Sequence, residues 1–353
     1  MTTPRPDSIS PTTRLAVPAS VVAELESHGL GIGSILDRVE ARLSEQVTSS
    51  HAFMDEAAKY LMEAGGKRFR PMMVALCGHL GDPAEVRLPD AGVIVELVHL
   101  ATLYHDDVID EAPARRGTPS ANARWDNTVA ILTGDYLFAR ASELSADLGV
   151  EVTRIMAQTI ATLCEGQIRE VQGSRGALPP DVPRLEATME HYLGVVGDKT
   201  AVLIAASCEL GALLAGCTPE QVVAARNYGW NVGMAFQLSD DILDMASEHE
   251  QSGKTPGTDL REGVATLPVL FGVEADQTGE LSRIVNADEI DDAGVATALD
   301  LIRSGDALQR SRAAAHEYVT LAAADLVMFS SPEHATIVKA LTKLAEYAVD
   351  RVG

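Results

Sequence analysis

The sequence predicts an all-α fold, and three observations carry it. Apolar residues recur at helical spacing from about residue 17 onward, Ala, Leu, Glu and Met supply those stretches, and alternating β-branched runs are nearly absent. The periodicity predicts helices over 18–30, 33–64, 69–81, 90–111, 120–147, 150–172, 183–193, 198–215, 218–248, 263–272, 291–304, 307–325 and 331–350. Pro89, Pro113, Pro119, Pro180, Pro219 and Pro256 fall at the ends of these helices or in turns, where the missing N–H is tolerated. A plain four-helix bundle needs only about four long elements. This chain supplies many more, so long helices around an internal cavity are expected. Residues 1–16 read as a flexible polar lead without the apolar stretch of a signal peptide, and 17–353 as a single all-α domain with no linker in its middle.

Size and charge narrow the function. With 353 residues and 46% hydrophobic content the chain can bury a large core. A formal charge of −23 argues against a nucleic-acid partner, which needs a basic face, but makes any local basic pocket stand out. Cys77, Cys164, Cys208 and Cys217 form no close C-x-x-C pair and read as small buried hydrophobes in a reducing, cytoplasmic setting. The most apolar membrane candidate, Ala201 to Cys217, is too short to span a bilayer and is interrupted by Glu209.

Two acidic clusters share one design: Asp106-Asp107-Val108-Ile109-Asp110 closes the predicted 90–111 helix, and Asp240-Asp241-Ile242-Leu243-Asp244 lies near the end of the 218–248 helix. In each, the first and fifth residues sit one turn apart on one face, where like charges repel unless a cation lies between them. Hard carboxylate oxygens suit Mg²⁺, which bridges protein carboxylates to substrate phosphates. Zinc wants converging His or Cys, and an EF-hand wants a twelve-residue loop with its glycine; neither pattern is present. Glu96 and His99 have the i, i+3 spacing of a di-iron helix, but no second copy exists. One cluster alone reads equally well as a solvated helix end; two, each behind an apolar helix, do not.

Basic residues accompany the clusters. Lys67 and Arg70 stand three apart in GGKRFRP, Arg115 and Arg116 follow the first cluster, Lys199 and Thr200 precede an apolar run, and Lys254 follows the second cluster. Each alone reads as a surface charge. Together, beside Mg²⁺ carboxylates, they are what diphosphate substrates require, and two basic sets suggest two diphosphates. No P-loop, dinucleotide fingerprint or nucleophile elbow is present. The pattern suits charge stabilisation on a departing diphosphate within apolar walls that shield a carbocation from water.

These motifs, GGKRFRP at 65–71, HLATLYHDDVIDEAPARRG at 99–117, GDYLF at 134–138, KT at 199–200, FQLSDDILD at 236–244 and GKTPGTDLREGVATLP at 253–268, occur in the order of the trans-isoprenyl (polyprenyl) diphosphate synthases, a family the chain closely resembles. The last 85 residues carry no motif. The resemblance implies an isoprenoid-synthase-like bundle, a homodimer, and Mg²⁺-dependent head-to-tail (1'-4) condensation of isopentenyl diphosphate with an allylic diphosphate. By similarity, Asp106 and Asp110 hold two of three Mg²⁺ ions and Asp240 the third, with Asp107, Asp241 and Asp244 in support. Arg115, Lys199, Gln237 and Lys254 surround the allylic diphosphate beside Thr200, while Lys67, Arg70, His99 and Arg116 hold isopentenyl diphosphate. His99 alone would read as a core histidine, and Phe236 as core packing as readily as a wall near the reacting carbons. The released diphosphate is the implied proton acceptor.

In short-chain relatives bulky residues one turn before the first cluster floor the cavity; here those positions are Ala101 and Thr102, with Val98 and Leu97 deeper. A long all-trans product of about seven to ten isoprene units (about C35–C50) follows, suited to a quinone side chain. The wording resembles actinobacterial members, which implies menaquinone. The alternatives are a farnesyl or geranylgeranyl diphosphate synthase with a deeper block, a terpene cyclase, which would not need the second basic set, and a non-catalytic subunit, which would not keep both clusters. Release of so greasy a product implies transient membrane contact.

Overall fold

The computed structural model describes residues 26–27, 29–173, 188–246, 256–287 and 290–350. The lead at 1–16, most of the helix predicted over 18–30, and Lys254 lie outside these. The described chain is almost entirely helical. It divides into two compact units. One gathers the described residues up to Gln158 with Ala206–Arg226 and Met328–Leu341; the other gathers Thr159–Ala205, Asn227–Val327 and the residues from Thr342 on.

The first unit opens with α1 (Ile32–Gln46) and α2 (Ala52–Glu63). The single helix predicted over 33–64 is broken because His51 caps α2, its ring accepting from the Met54 N–H, and the Ser49 N–H turns to the Asp55 carboxylate. Polar side chains here compete with the helical ladder. On α1 the buried residues Ile32, Ile35, Leu36, Val39 and Leu43 follow the 3.6 period, each contributing on the order of 1.5–3 kcal/mol. Next come α3 (Phe69–Gly78) and α4 (Leu88–Ile109), which starts with Pro89 in its first turn. Helix α4 is apolar nearly all round because α1, α3 and α6 (Asn127–Leu148) pack against it. Between α4 and α6 lie a short hairpin, β1 (Ala114–Arg115) with β2 (Thr118–Pro119), and α5 (Ala121–Arg124). The predicted 120–147 helix is interrupted at Trp125, and Asp126 restarts it by accepting the Val129 N–H at 2.8 Å.

Helix α7 (Val150–Gly173) follows as predicted. The break expected between 193 and 198 is absent: α8 (Met189–Val196) runs through a π turn at Gly197–Ala201 into α9 (Val202–Leu214). Tertiary packing keeps the helix continuous here, with Gly197 so close to its neighbour that a Cβ would lie 2.7 Å from the Trp230 ring. Helix α10 (Pro219–Ala246) begins with a capping box, in which Thr218 and Gln221 exchange backbone and side-chain hydrogen bonds. Its later half carries the second acidic cluster and packs at Gly233 so closely on Ala201 that a Cβ would come within 2.6 Å of the Ala201 Cα. Then follow α11 (Thr258–Arg261), α12 (Leu267–Ala275), α13 (Glu280–Val285), which the periodicity missed, α14 (Asp292–Ser304), α15 (Ala307–Asp325) and α16 (Ala335–Asp350). The second unit's core joins Tyr192, Val196, Met234, Leu238, Ile242 and Leu267.

One cysteine reading fails. Cys77 and Cys208 are buried, but Cys164 is exposed and Cys217 half-buried. The buried face of α7 runs through Val152, Ile155, Met156, Thr159 and Leu163, and Cys164 falls off that stripe. Among the described residues no helix is long and apolar enough to cross a membrane.

Candidate active site

In the first unit α4 delivers its carboxylates at its C-terminal end. Asp106 is half-buried and Asp110 exposed, whereas Asp107 points inward with no exposure. Arg115 Nε donates to Asp107 Oδ1 at 2.6 Å, and burial still pushes the Asp107 carboxyl above its usual range. The hairpin explains how Arg115 arrives there. Arg116 and Gly117 both have positive φ, 53° and 77°, as the two central residues of a type I′ turn require. Arg116 Nη1 donates to the carbonyls of Leu61, at 2.8 Å, and Gly65.

A second set of cations lies beneath this turn. Arg68 and Arg70 come from the start of α3, and His99 from α4. Arg70 is half-buried, and its Nε is shut off from solvent without a hydrogen-bond partner. Burial, with Arg116 adding repulsion and Glu96 opposing both, brings Arg70 down to about 10. Burial first, and then the charges of Arg70, Arg116, Arg68 and Arg115, push His99 well below its ordinary value, so the ring is neutral. Glu96 is 2% exposed and pairs with Arg68 at 2.9 Å. It is therefore a buried counter-ion rather than a metal ligand. Lys67 is exposed at the rim. The half-buried guanidiniums of Arg70 and Arg116, a neutral imidazole and an unpartnered N–H form a cradle for an anion, while Arg68 beside them is taken up by Glu40 and Glu96.

Ala101 and Val98 are fully buried on α4, and Thr102 is half-buried with its hydroxyl donating to the His99 carbonyl at 2.8 Å.

In the second unit Asp240 and Asp244 are accessible and Asp241 is buried. Asp241 Oδ2 accepts from Tyr192 Oη at 2.5 Å and Oδ1 from Gln237 Nε2 at 2.8 Å, while Thr200 Oγ1 donates to Gln237 Oε1 at 3.0 Å. Burial raises Asp241 to about 7, against the pull of these two hydrogen bonds. Asp244 accepts the N–H groups of Thr258 and Asp259, so its carboxylate also fixes the GTDL turn. Lys199 Nζ is paired with Glu170, and Arg169 with Asp198. A small open recess beside them is lined by Glu170, His191, Tyr192 and Val264.

The two clusters thus share a division of labour. Each middle aspartate is buried and committed to protein partners, Arg115 or Tyr192 and Gln237, and the flanking ones are reachable from solvent. Among the described residues no three His, Cys, Asp or Glu side chains converge tightly enough to hold a metal by themselves. Mg²⁺ is usually held by one or two carboxylates together with substrate phosphates and water, and Asp106 with Asp110 is a pair that could serve that way. Arg68, Glu40, Glu170 and Tyr192 escaped the motif reading as site residues, and Glu96 entered it only as a di-iron candidate that was set aside. Arg68 lies inside GGKRFRP and Tyr192 stands two turns before Lys199, but neither position advertises its partner.

The polyprenyl synthetase family model matches residues 51–302. The nonaprenyl diphosphate synthase of Mycobacterium tuberculosis is 40% identical over 346 residues, covering 96% of this chain and all of that protein. Among solved structures, a decaprenyl diphosphate synthase from Rhodobacter capsulatus aligns with a TM-score of 0.84 at 33% identity, covering 94% of this chain and 99% of that one. A geranylgeranyl pyrophosphate synthase from Corynebacterium glutamicum, complexed with calcium and isoprenyl diphosphate, aligns with a TM-score of 0.79 at 40% identity over 96% of this chain and 99% of that one. Matched by the family model from the α2 cap into α14, and by full-length relatives over nearly all its residues, the chain belongs to the polyprenyl synthetase family.

Proposed function

We propose that this prenyltransferase joins isopentenyl diphosphate to an allylic diphosphate by Mg²⁺-dependent 1'-4 condensation and repeats the step to a long all-trans product. The observation that carries the reading is the first unit's arrangement. A buried cationic cradle with an unpartnered Arg70 N–H lies on the same helix system as accessible paired carboxylates. Lys67, Arg70, His99 and Arg116 hold isopentenyl diphosphate; a neutral His99 donates a hydrogen bond without adding charge. Arg115, Lys199, Thr200, Gln237 and Lys254 serve the allylic diphosphate. Lys199 exchanges Glu170 for phosphate oxygen when that substrate enters. Asp106 and Asp110 take two of three Mg²⁺ ions and Asp240 the third, while Asp107, Asp241 and Asp244 hold Arg115, Gln237 and the GTDL turn in place. Bound magnesium neutralises the charge that builds on the departing diphosphate. The apolar residues behind the cluster, Val98 and Ala101 among them, keep water from the carbocation. The proton lost from the adduct goes to the released diphosphate.

Relatives at 40% identity carry both nonaprenyl and geranylgeranyl names, so identity alone does not choose the product length. Small side chains at Ala101 and Thr102 favour the long product, of about C35–C50, for a quinone such as menaquinone. A farnesyl or geranylgeranyl product is the second reading. We also assign a single catalytic domain over 17–353, a homodimer, a cytoplasmic site and transient membrane contact during release. Product sizing with labelled isopentenyl diphosphate and several allylic primers tests the reading. Long polyprenyl products support it, and products that stop at C15 or C20 favour the second.

A further inference from the structure

The turn between Lys67 and α3 is strained and clamped from below. Among the described residues, the non-glycine positions with positive φ are Arg68, Glu111 and Arg116, all within the segments that carry the first unit's cations and carboxylates. Arg68, φ 46°, is the residue that begins α3. Side chains pay for that conformation, so it persists only where surrounding contacts over-determine it. The contacts are carboxylates. Arg68 Nε and Nη2 donate to Glu40 and Nη1 donates to Glu96 at 2.9 Å, so each of its nitrogens is already engaged. Arg68 is 7% exposed, Glu96 2% and Glu40 32%. Burial alone would lower the Arg68 pKa, but the charge of Glu96 and the hydrogen bond to Glu40 outweigh it.

The clamp reaches its neighbours. Glu96 also opposes the loss of charge on Arg70 and Arg116. Gly66 lies directly against the two guanidiniums: a Cβ there would clash with Arg68 Nη1 and stand 3.1 Å from Arg116 Nη2. Arg68 thus lies beside Arg116 against the backbone that leads into Lys67, and it is also the residue from which α3 and Arg70 start. We propose that Arg68, held by Glu96 and Glu40, is a positioning residue for isopentenyl diphosphate: it touches no substrate and fixes Lys67, Arg70 and Arg116 where they grip the diphosphate before it arrives. This rests on the assignment of that subsite above.

Steady-state kinetics on the full chain, with the two substrates varied separately, test it in Arg68→Lys, Glu96→Gln and Glu40→Gln, with thermal melts alongside. The KM for isopentenyl diphosphate should rise roughly tenfold in the first two and several-fold in Glu40→Gln. The KM for the allylic diphosphate and kcat at saturation should stay within about twofold. Glu40 is the most exposed of the three, so its variant keeps the test alive if a buried change prevents folding. Folded variants with an unchanged KM for isopentenyl diphosphate, or with both KM values rising together, overturn the inference. So does a fall in that KM in Glu96→Gln, which would make Glu96 a competitor for the cations. Lys67→Ala and Arg70→Gln separate the two levels of the argument. If they raise this KM and the Arg68 variants do not, the positioning role alone falls; if they leave it unchanged, the subsite assignment falls with it.

Discussion

Replacing Ala101 with Phe should shorten the product. Ala101 has no exposure and lies five residues before Asp106 on α4. At about 1.5 Å per residue it stands about 7.5 Å below the Asp106 carboxylate, and Val98 about 12 Å below it. With the diphosphate at Asp106 and Asp110, as proposed above, a growing chain meets the new ring within one and a half turns of the helix. Elongation should then stop in the farnesyl to geranylgeranyl range. Inserting a ring at this buried position costs roughly 1–3 kcal/mol of stability, which lowers the melting temperature without preventing folding in a core of this size. Val98→Phe places the block deeper, so its product should fall between that of Ala101→Phe and the unsubstituted chain. The assay is incorporation of labelled isopentenyl diphosphate, dephosphorylation and chromatographic sizing. A folded, active Ala101→Phe variant with an unchanged length distribution would refute the reasoning, as would a shorter product from Val98→Phe than from Ala101→Phe.

Other outcomes follow from the same geometry. Asp106→Ala and Asp240→Ala should each lower kcat by ~10²–10³-fold with Mg²⁺ present, the loss expected when a group that stabilises developing charge is removed; near-normal turnover in a folded variant would contradict the metal assignment. Tyr192→Phe deletes the 2.5 Å hydrogen bond to buried Asp241 and should cost about 1–3 kcal/mol in stability by thermal or denaturant unfolding. Arg70, brought down to about 10 by burial, loses its proton as pH rises through that value, so kcat/KM for isopentenyl diphosphate should fall above about pH 10. His99, already neutral, should add no limb between about pH 6.5 and 9; a limb there that vanishes in His99→Gln would show that it titrates.

Much of the chemistry was legible because it is written in local spacing. D-D-x-x-D on a helix places Asp106 and Asp110 on one face whatever surrounds them, and Arg115 and Arg116 had to fall close to them across so short a connection. The turn that presents those arginines was not foreseen, because a hairpin of two-residue strands has no periodicity to detect; only Gly117 hints at it. Nor was the pairing of Lys199 with Glu170 or of Asp241 with Tyr192, since those partners lie 29 and 49 residues apart and only tertiary packing joins them. Arg68 was passed over for a related reason. In the sequence it is one of three neighbouring cations, and only the fold reveals that its charge is spent on Glu40 and Glu96. The helix breaks at Thr48–His51 and Trp125 were hidden by continuous apolar spacing, with capping side chains deciding against the period.

The most direct measurement is the fate of labelled isopentenyl diphosphate given to the purified chain alone with Mg²⁺ and an allylic primer. The account predicts that label enters polyprenyl diphosphates of about seven to ten isoprene units, that chelation of the metal abolishes it, and that no second protein is needed. An unlabelled cyclic product from the primer, or no incorporation until another subunit is added, would contradict it.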